Sequence, residues 1–244
     1  MHGIMKLQNK TTVFYIAFII LTLPVLMSCS DRQEPAETTP VPAKAESFTF
    51  FDLGINTKLT NHGRKELENT LGRDAIEHRR SIDLEINYQG FLKKYFPDLD
   101  ELNRLLNFPP GERVEHNTVK LMYRYAQKQN VPFKYVALVF SDYTKTPLLF
   151  KIIFRKDEAG TIKTLKTKYG WPEVIDWQEE NGTSMFWKKN TDFLIVSLVP
   201  DQFGRHEYHI VIYYVDNLKQ LIATEKKEPQ KRGHKRAQPG KTAF

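Results

Sequence analysis

The 244 residues carry 36 Lys and Arg against 29 Asp and Glu, a formal net charge of +7. The last 20 residues hold seven of these basic residues and two Glu, so +5 of the charge lies there. The remainder predicts no basic patch of the kind that nucleic-acid binders use, and a single cysteine excludes a disulfide framework.

Residues 1–28 have the layout of a secretory signal peptide. Lys6 and Lys10 form a positive start, and an apolar run follows from about Val13 to Leu26. The run is shorter than the roughly 20 apolar residues of a transmembrane helix. We therefore predict a cleaved signal, with a single anchoring helix as the alternative.

The signal ends in Leu26-Met27-Ser28-Cys29, which resembles the lipobox of bacterial lipoproteins. The resemblance implies cleavage before Cys29, acylation of its thiol with palmitate-type chains and a third acyl chain on the new amine. Two or three chains anchor a protein stably, whereas one binds only marginally. Ser30 stands where an Asp would imply inner-membrane retention, so the family's sorting rule implies an outer-membrane lipoprotein that faces the periplasm.

Both ends of the mature chain predict disorder. Residues 29–46 are rich in proline and acids, and 18 residues of such a tether reach roughly 50 Å. Residues 225–244 form a basic tail. A solvated end is one interpretation of the tail, and attraction to anionic lipid or acidic protein is the other, at about 1 kcal/mol per Lys or Arg.

The segment between these ends predicts two α+β modules, residues 47–157 and 158–224. Thr60 or Asn61 caps a predicted short helix that Gly72 terminates. Residues 88–107 predict two helical pieces, broken at Pro97, with Asp98 capping the second.

Beyond residue 117 the apolar period changes to two, which favours strands. The predicted strands are 118–126, 133–140, 147–154, 184–189, 192–199 and 207–215, and the predicted helices among them are 161–169, ending at Gly170, and 217–225. The fold class is therefore α+β, an antiparallel meander with helices packed on one face. The order of a helix and three strands occurs in 99–154 and again in 162–215, which suggests tandem helix–βββ modules.

Residues 161–217 carry a second resemblance. A helix that ends in Tyr169-Gly170-Trp171-Pro172, a strand with the aromatic pair Phe186-Trp187 and two further strands resemble small outer-membrane assembly lipoproteins of the BamE/SmpA type and beta-lactamase-inhibitor-like folds. The chain lacks the short acidic turn that the family often has before its last strand. The resemblance implies a fold and a binding role at the envelope, with an envelope protein as partner.

Residues suited to catalysis are sparse. His206 and His209 stand three apart in a predicted strand and so point to opposite faces, which prevents them from chelating one metal. No H-E-x-x-H, G-x-S-x-G or P-loop pattern occurs. We therefore predict no enzyme activity, no cofactor and no metal.

Aromatic residues are the better candidates for a partner-binding site. Trp171, Trp177 and Trp187 lie close in sequence to Tyr169, and Trp and Tyr are frequent at interface hot spots. Packing in the core is the alternative role for all four. Trp171, beside a proline at a helix end, is the one most expected at the surface.

Three functions remain open. The first is a lipid-anchored, periplasm-facing binding or assembly module, with loss of partner capture when Trp171 is truncated. The second is a lipid or small-ligand carrier with an apolar cavity under the sheet. The third is a hydrolase whose site would need convergent acids or a histidine with a carboxylate partner.

Overall fold

The computed structural model describes residues 47–124, 130–154, 160–177, 182–200 and 203–227, all within one compact unit. The predicted signal peptide, tether and Cys29 lie outside these residues, as does the predicted module boundary at 157/158. The elements in chain order are α1 (Asn61–Leu71), β1 (Ala75–Arg80), α2 (Phe91–Tyr95), α3 (Pro97–Leu106), β2 (His116–Tyr123), β3 (Phe133–Ser141), β4 (Pro147–Phe154), α4 (Thr161–Tyr169), β5 (Glu173–Trp177), β6 (Gly182–Lys189), β7 (Asp192–Pro200), β8 (His206–Tyr213) and α5 (Val215–Lys227).

The eight strands form one antiparallel sheet in the order β1-β2-β3-β4-β8-β7-β6-β5. Each half of the sheet is built from four strands that are consecutive in sequence, and the halves join where β4 pairs with β8. The α+β class and the antiparallel meander are therefore confirmed. Both predicted modules contribute to one continuous sheet.

The helices cover both faces of this sheet, whereas the sequence predicts one covered face. Adjacent residues of a strand point to opposite faces, and Leu149 and Phe150 of β4 accordingly belong to different core clusters. We call the side of Phe150 the first face and the side of Leu149 the second face. Helices α1 and α4 pack on the first face, and α2, α3 and α5 pack on the second.

A structural repeat relates α1–β1 to α4–β5. Both helices end at a glycine of nearly the same backbone conformation, with φ 83° and ψ −176° at Gly72 and φ 88° and ψ −169° at Gly170. A positive φ with ψ near 180° is open almost only to glycine. The preceding residues, Leu71 and Tyr169, both pack into the first-face cluster. The predicted repeat of 99–154 with 162–215 is therefore wrong. It matches α4 with α3, whereas the structural counterpart of α4 is α1, and α3 lies on the second face.

The two outermost strands, β1 and β5, are absent from the sequence prediction. Five of the six residues of β1 are exposed, so the strand shows no apolar alternation. Three of the five residues of β5 are also exposed. An edge strand pairs on one side only, so its residues bear a weaker burial pattern than those of a central strand.

Residues 81–90, which we call the strap, cross the second face between β1 and α2. Tyr213 Oη donates to the Leu84 carbonyl at 2.8 Å, and Lys151 Nζ donates to the Asp83 carbonyl at 3.0 Å. Farther along, Asn87 Nδ2 lies 3.4 Å from Ser184 Oγ. Side chains of the sheet thus donate hydrogen bonds to backbone carbonyls of a segment that has no secondary structure of its own.

Helix starts agree with the sequence at one position and differ at another. Thr60 is the N-cap of α1 as predicted, because its Oγ1 accepts from the Gly63 amide at 3.0 Å. Asp98, the predicted cap of α3, lies instead in the first turn. The N-cap is Phe96, and Pro97 is the first helical residue, a position where its missing N–H costs nothing.

Helix α5 runs to Lys227, so Glu225–Lys227 of the predicted tail are helical, and the rest of that tail lies outside the described residues. The Glu225 carboxylate lies 2.7 Å from His116 Nδ1 and accepts from the Asn117 amide at 2.7 Å. His116 Nε2 lies 2.8 Å from the Leu106 carbonyl. These contacts join the ends of α3 and α5 to the start of β2.

We expect Glu225→Ala to lower the free energy of unfolding by about 2 kcal/mol, because it leaves the buried His116 ring and the Asn117 amide without their acceptor. Lys227→Ala, at an exposed position in the same turn, should change it by less than about 0.5 kcal/mol. Urea denaturation of the full chain measures both. Equal values for the two variants would contradict the assigned role of Glu225.

Candidate functional site

The structure separates the four aromatic residues predicted to bind a partner. Trp177 and Trp187 are buried, with 3% and 5% of their surface exposed, and Tyr169 packs against the first-face cluster. Trp171 is 86% exposed. Trp177 and Trp187 are thus core residues, because the strand register turns both indoles inward. Tyr169 is half-buried, and Trp171 alone of the four is exposed.

Trp187 and Tyr169 instead support the corner between α4 and β5, and Trp177 supports the other end of β5. Trp187 Nε1 donates to the Gly170 carbonyl at 2.8 Å, one residue before Trp171. Tyr169 Oη accepts from the Thr49 amide at 3.0 Å. Trp177 Nε1 donates to Ser184 Oγ at 3.0 Å at the far end of β5. Trp171 therefore projects from a backbone that is held at both sides.

An exposed apolar surface begins at this corner. We call Trp171, Pro172, Glu173 and Val174 the Trp171 corner. Val174 is 59% exposed, and Lys166 Nζ lies 5.1 Å from the centroid of the Trp171 ring. An indole that carries a cation on one side is amphipathic, a property that interface residues share.

The outer edge of β5 is open. Its register with β6 is regular over five consecutive pairs, from Glu173–Phe186 to Trp177–Gly182. Within the residues that the structure describes, no other strand pairs with β5. Alternate backbone N–H and C=O groups of an edge strand point away from the sheet, so β5 offers a template for a further strand.

The opposite edge, β1, carries features that hinder strand addition. Its register shifts between His78 and Arg80, and Arg79 has a positive φ of 51°. Four consecutive residues from Glu77 to Arg80 are charged or titratable. Bulges and charges are the devices by which proteins protect sheet edges. The two ends of the sheet are therefore unequal.

Equivalent positions of the structural repeat make this contrast specific. One residue after the helix-ending glycine stands Arg73 in the first half and Trp171 in the second. Four residues after it stand Ile76, which is 38% exposed, and Val174, which is 59% exposed. Sequence reasoning found Trp171 but missed Val174 and β5, although E-V-I-D-W directly after Gly-Trp-Pro contains Val, Ile and Trp, which are frequent in strands.

Three described histidines have a carboxylate partner: His62 beside Glu66 at 3.2 Å on the exposed surface of α1, His116 and His209. His116 is 4% exposed and both of its ring nitrogens contact acceptors, the Glu225 carboxylate and the Leu106 carbonyl. Both ring nitrogens of His116 make contacts within the fold, so neither is free to act as a base.

His209 lies on the second face, where Nε2 is 3.7 Å from Glu207 Oε2. Lys134 Nζ holds the other carboxylate oxygen at 2.6 Å. The residue opposite His209 on β7 is Ser197, which is 1% exposed and whose hydroxyl lies 2.8 Å from Ser184 Oγ. The arrangement places no accessible nucleophile beside the imidazole.

Other kinds of site were sought in the described part of the chain. No three His, Cys, Asp or Glu side chains of these residues are grouped so that they could hold a metal ion. Of the helices described, none is long and apolar enough to cross a membrane. Comparison of the chain with protein-family models, with curated proteins and with solved structures found no match.

Burial lowers the pKa of His209 below 6.5, and attraction by Glu207 offsets this effect only in part. Between the lowered pKa and 6.5 the unfolded chain binds more protons at this site, so its contribution to stability rises with pH. We expect His209→Gln to flatten the pH dependence of unfolding free energy in that window. Urea denaturation at several pH values measures the slope.

His206→Gln on the same strand is the matched control, because His206 is exposed. It should leave the slope of the wild-type protein unchanged. An unchanged slope in His209→Gln would contradict the pKa assignment.

Proposed function

We propose that this chain is a lipid-anchored, periplasm-facing envelope protein that acts as a binding or assembly module without catalysis. Its partner is an envelope protein that adds an extended segment to the open edge of β5. The observation that carries this proposal is the 86% exposed Trp171 beside an unpaired strand edge.

In strand addition, the backbone and the side chains make separate contributions to binding. Main-chain hydrogen bonds along β5 provide affinity that does not depend on the partner's sequence. Trp171 and Val174, which flank the start of the strand, provide apolar anchors. A Trp on a fixed backbone loses little conformational freedom on binding, which favours it as a hot spot.

The membrane anchor in this proposal is Cys29, with N-terminal acyl chains in the outer membrane. Its support is the lipobox-like sequence Leu26-Met27-Ser28-Cys29 and the proline-rich segment that follows. A tether of roughly 50 Å would let β5 meet partners near the membrane. The basic end of the chain adds attraction to anionic lipid or acidic protein, at about 1 kcal/mol per Lys or Arg.

The two alternative functions draw less support from the described residues. A lipid carrier needs a large enclosed apolar cavity under the sheet, whereas side chains without exposed surface, such as Phe150 on the first face and Tyr213 on the second, fill the centre of the sheet. A hydrolase needs an accessible histidine with a nucleophile. His116 is bonded at both nitrogens, and His209 faces the buried Ser197.

Site-specific photocrosslinking in cells tests the binding edge. A photoreactive residue at Glu173 should give an adduct of one defined mass, whereas the same residue at Ala75, the equivalent position of β1, should give none. Trp171→Arg, which installs the Arg73 side chain, should lower the adduct at least about tenfold, because hot-spot truncation costs about 2 kcal/mol or more.

Charged substitutions on the two edges provide the matched control. Val174→Lys should abolish the adduct because an edge lysine opposes strand addition, and Ile76→Lys should retain it. Equal adducts from both edges, no adduct at Glu173, or an adduct that survives Trp171→Arg and Val174→Lys would each contradict the proposal.

Cys29→Ser tests the anchor. Wild-type protein in a Gram-negative host should gain the mass of three acyl chains, lose residues 1–28 and fractionate with the outer membrane, whereas Cys29→Ser should lack the acyl mass. Intact mass spectrometry and membrane fractionation measure both. An unmodified Cys29 in soluble wild-type protein would disprove the anchor and leave the binding-edge proposal to stand on its own test.

A further inference from the structure

A pocket of about 180 Å³ lies between the strap and the second face of the sheet, at the half opposite to β5. Its floor consists of Ala137 and Val139 of β3 and Leu149 of β4. The strap residues Ser81–Asp83 form one wall. The pocket is distinct from the Trp171 corner, so it calls for a separate explanation.

Ala137 is the reason that a depression exists. It pairs with Met122 on β2 and with Lys151 on β4, so it stands between two long side chains in the same row of the second face. Its methyl group is too short to fill the space between β3 and the strap, which covers the pocket. A larger side chain at this position would close the pocket.

Three cationic residues line the pocket: Arg80 at the end of β1, Lys120 on β2 and Lys151 on β4. Lys151 Nζ donates to the carbonyls of Asp83 at 3.0 Å and Glu85 at 3.4 Å. An ammonium has three donors, so these two bonds leave one for a ligand. In the described part of the chain, no carboxylate lies within 4 Å of Lys151 Nζ.

The carboxylates near these cations already have other partners, and Glu85 accepts from the Gly90 amide. Glu77 lies 3.8 Å from Lys120 and 3.4 Å from Arg80, so one carboxylate serves two cations. Asp83 lines the pocket, but one of its oxygens accepts from the Glu85 amide. Burial lowers the pKa of Lys151, and attraction by Asp83 and Glu85 offsets this effect only in part.

We propose that this pocket binds a small oxyanion, a carboxylate or phosphate group that carries a short apolar part. The anionic group contacts Lys151 and Lys120, and the apolar part lies on Ala137 and Leu149. A volume of 180 Å³ corresponds to about six water molecules at roughly 30 Å³ each, so the ligand is a small metabolite-sized anion. Charge-assisted hydrogen bonds from ammonium to oxyanion are among the stronger polar contacts in proteins.

Calorimetric titration of the full chain in detergent tests this site, with inorganic phosphate and butyrate as separate probes and sodium chloride at equal ionic strength as reference. At least one probe should bind saturably with a Kd of about 1 mM or tighter. Binding of phosphate alone would identify the ligand group as a phosphate, and binding of butyrate alone would identify it as a carboxylate. Binding of neither would overturn the proposal.

Four variants locate the bound anion. Lys151→Met and Lys120→Met should each weaken binding at least tenfold, and only the first also removes bonds to the strap. Ala137→Leu keeps every cation but fills the floor, so it should abolish binding. Lys188→Met removes a lysine from the same face outside the pocket and should bind as wild type does.

Undiminished binding by Ala137→Leu would place the anion elsewhere and overturn the proposal. An equal loss of affinity in Lys188→Met and Lys120→Met would show that net charge alone causes the loss, and it would overturn the proposal as well. Circular dichroism establishes which variants are folded. Should Lys151→Met unfold, Lys120→Met and Ala137→Leu decide the outcome.

Discussion

The pairing of β4 with β8 is the interaction on which the rest of the structure depends. Six aligned pairs, from Leu149–Tyr213 to Phe154–Tyr208, join the two halves of the sheet. Both strands are apolar on both sides, so neither face can remain in water. Burial of a large apolar side chain stabilises by about 1.5–3 kcal/mol, and this gain requires helices on each face. A single strand pairing thus imposes three layers on the fold.

The pairing of β4 with β8 also determines which strands lie at the edges of the sheet, where other molecules can bind. Because the halves meet through their last strands, their first strands become the two edges. The equivalent corners then diverge in chemistry, with Arg73 and a bulged, charged β1 at one end and Trp171 with a regular β5 at the other. Only one end of the sheet combines free backbone groups with apolar anchors, and that combination directs our functional proposal to β5.

The second face imposes a further constraint through the strap. A segment without secondary structure that crosses a sheet must find donors for its carbonyls, and Lys151 and Tyr213 supply them. The strap is thereby held above β3, where Ala137 is too small to fill the gap. Satisfying the strap's carbonyls therefore places a half-buried lysine beside an apolar floor, an environment suited to the small anion that we propose.

The sequence by itself determined the elements whose signals are local. Helices α1 and α4 follow from their glycine stops, and the central strands follow from apolar runs that only a sheet buried on both sides can use. It could not determine β1 or β5, since exposed edge residues carry little pattern. The roles of Trp171, Trp177 and Trp187 were likewise undecided, because three similar residues differ only through strand register. The anion pocket joins residues from four strands and the strap, so it exists only once long-range pairing has brought them together.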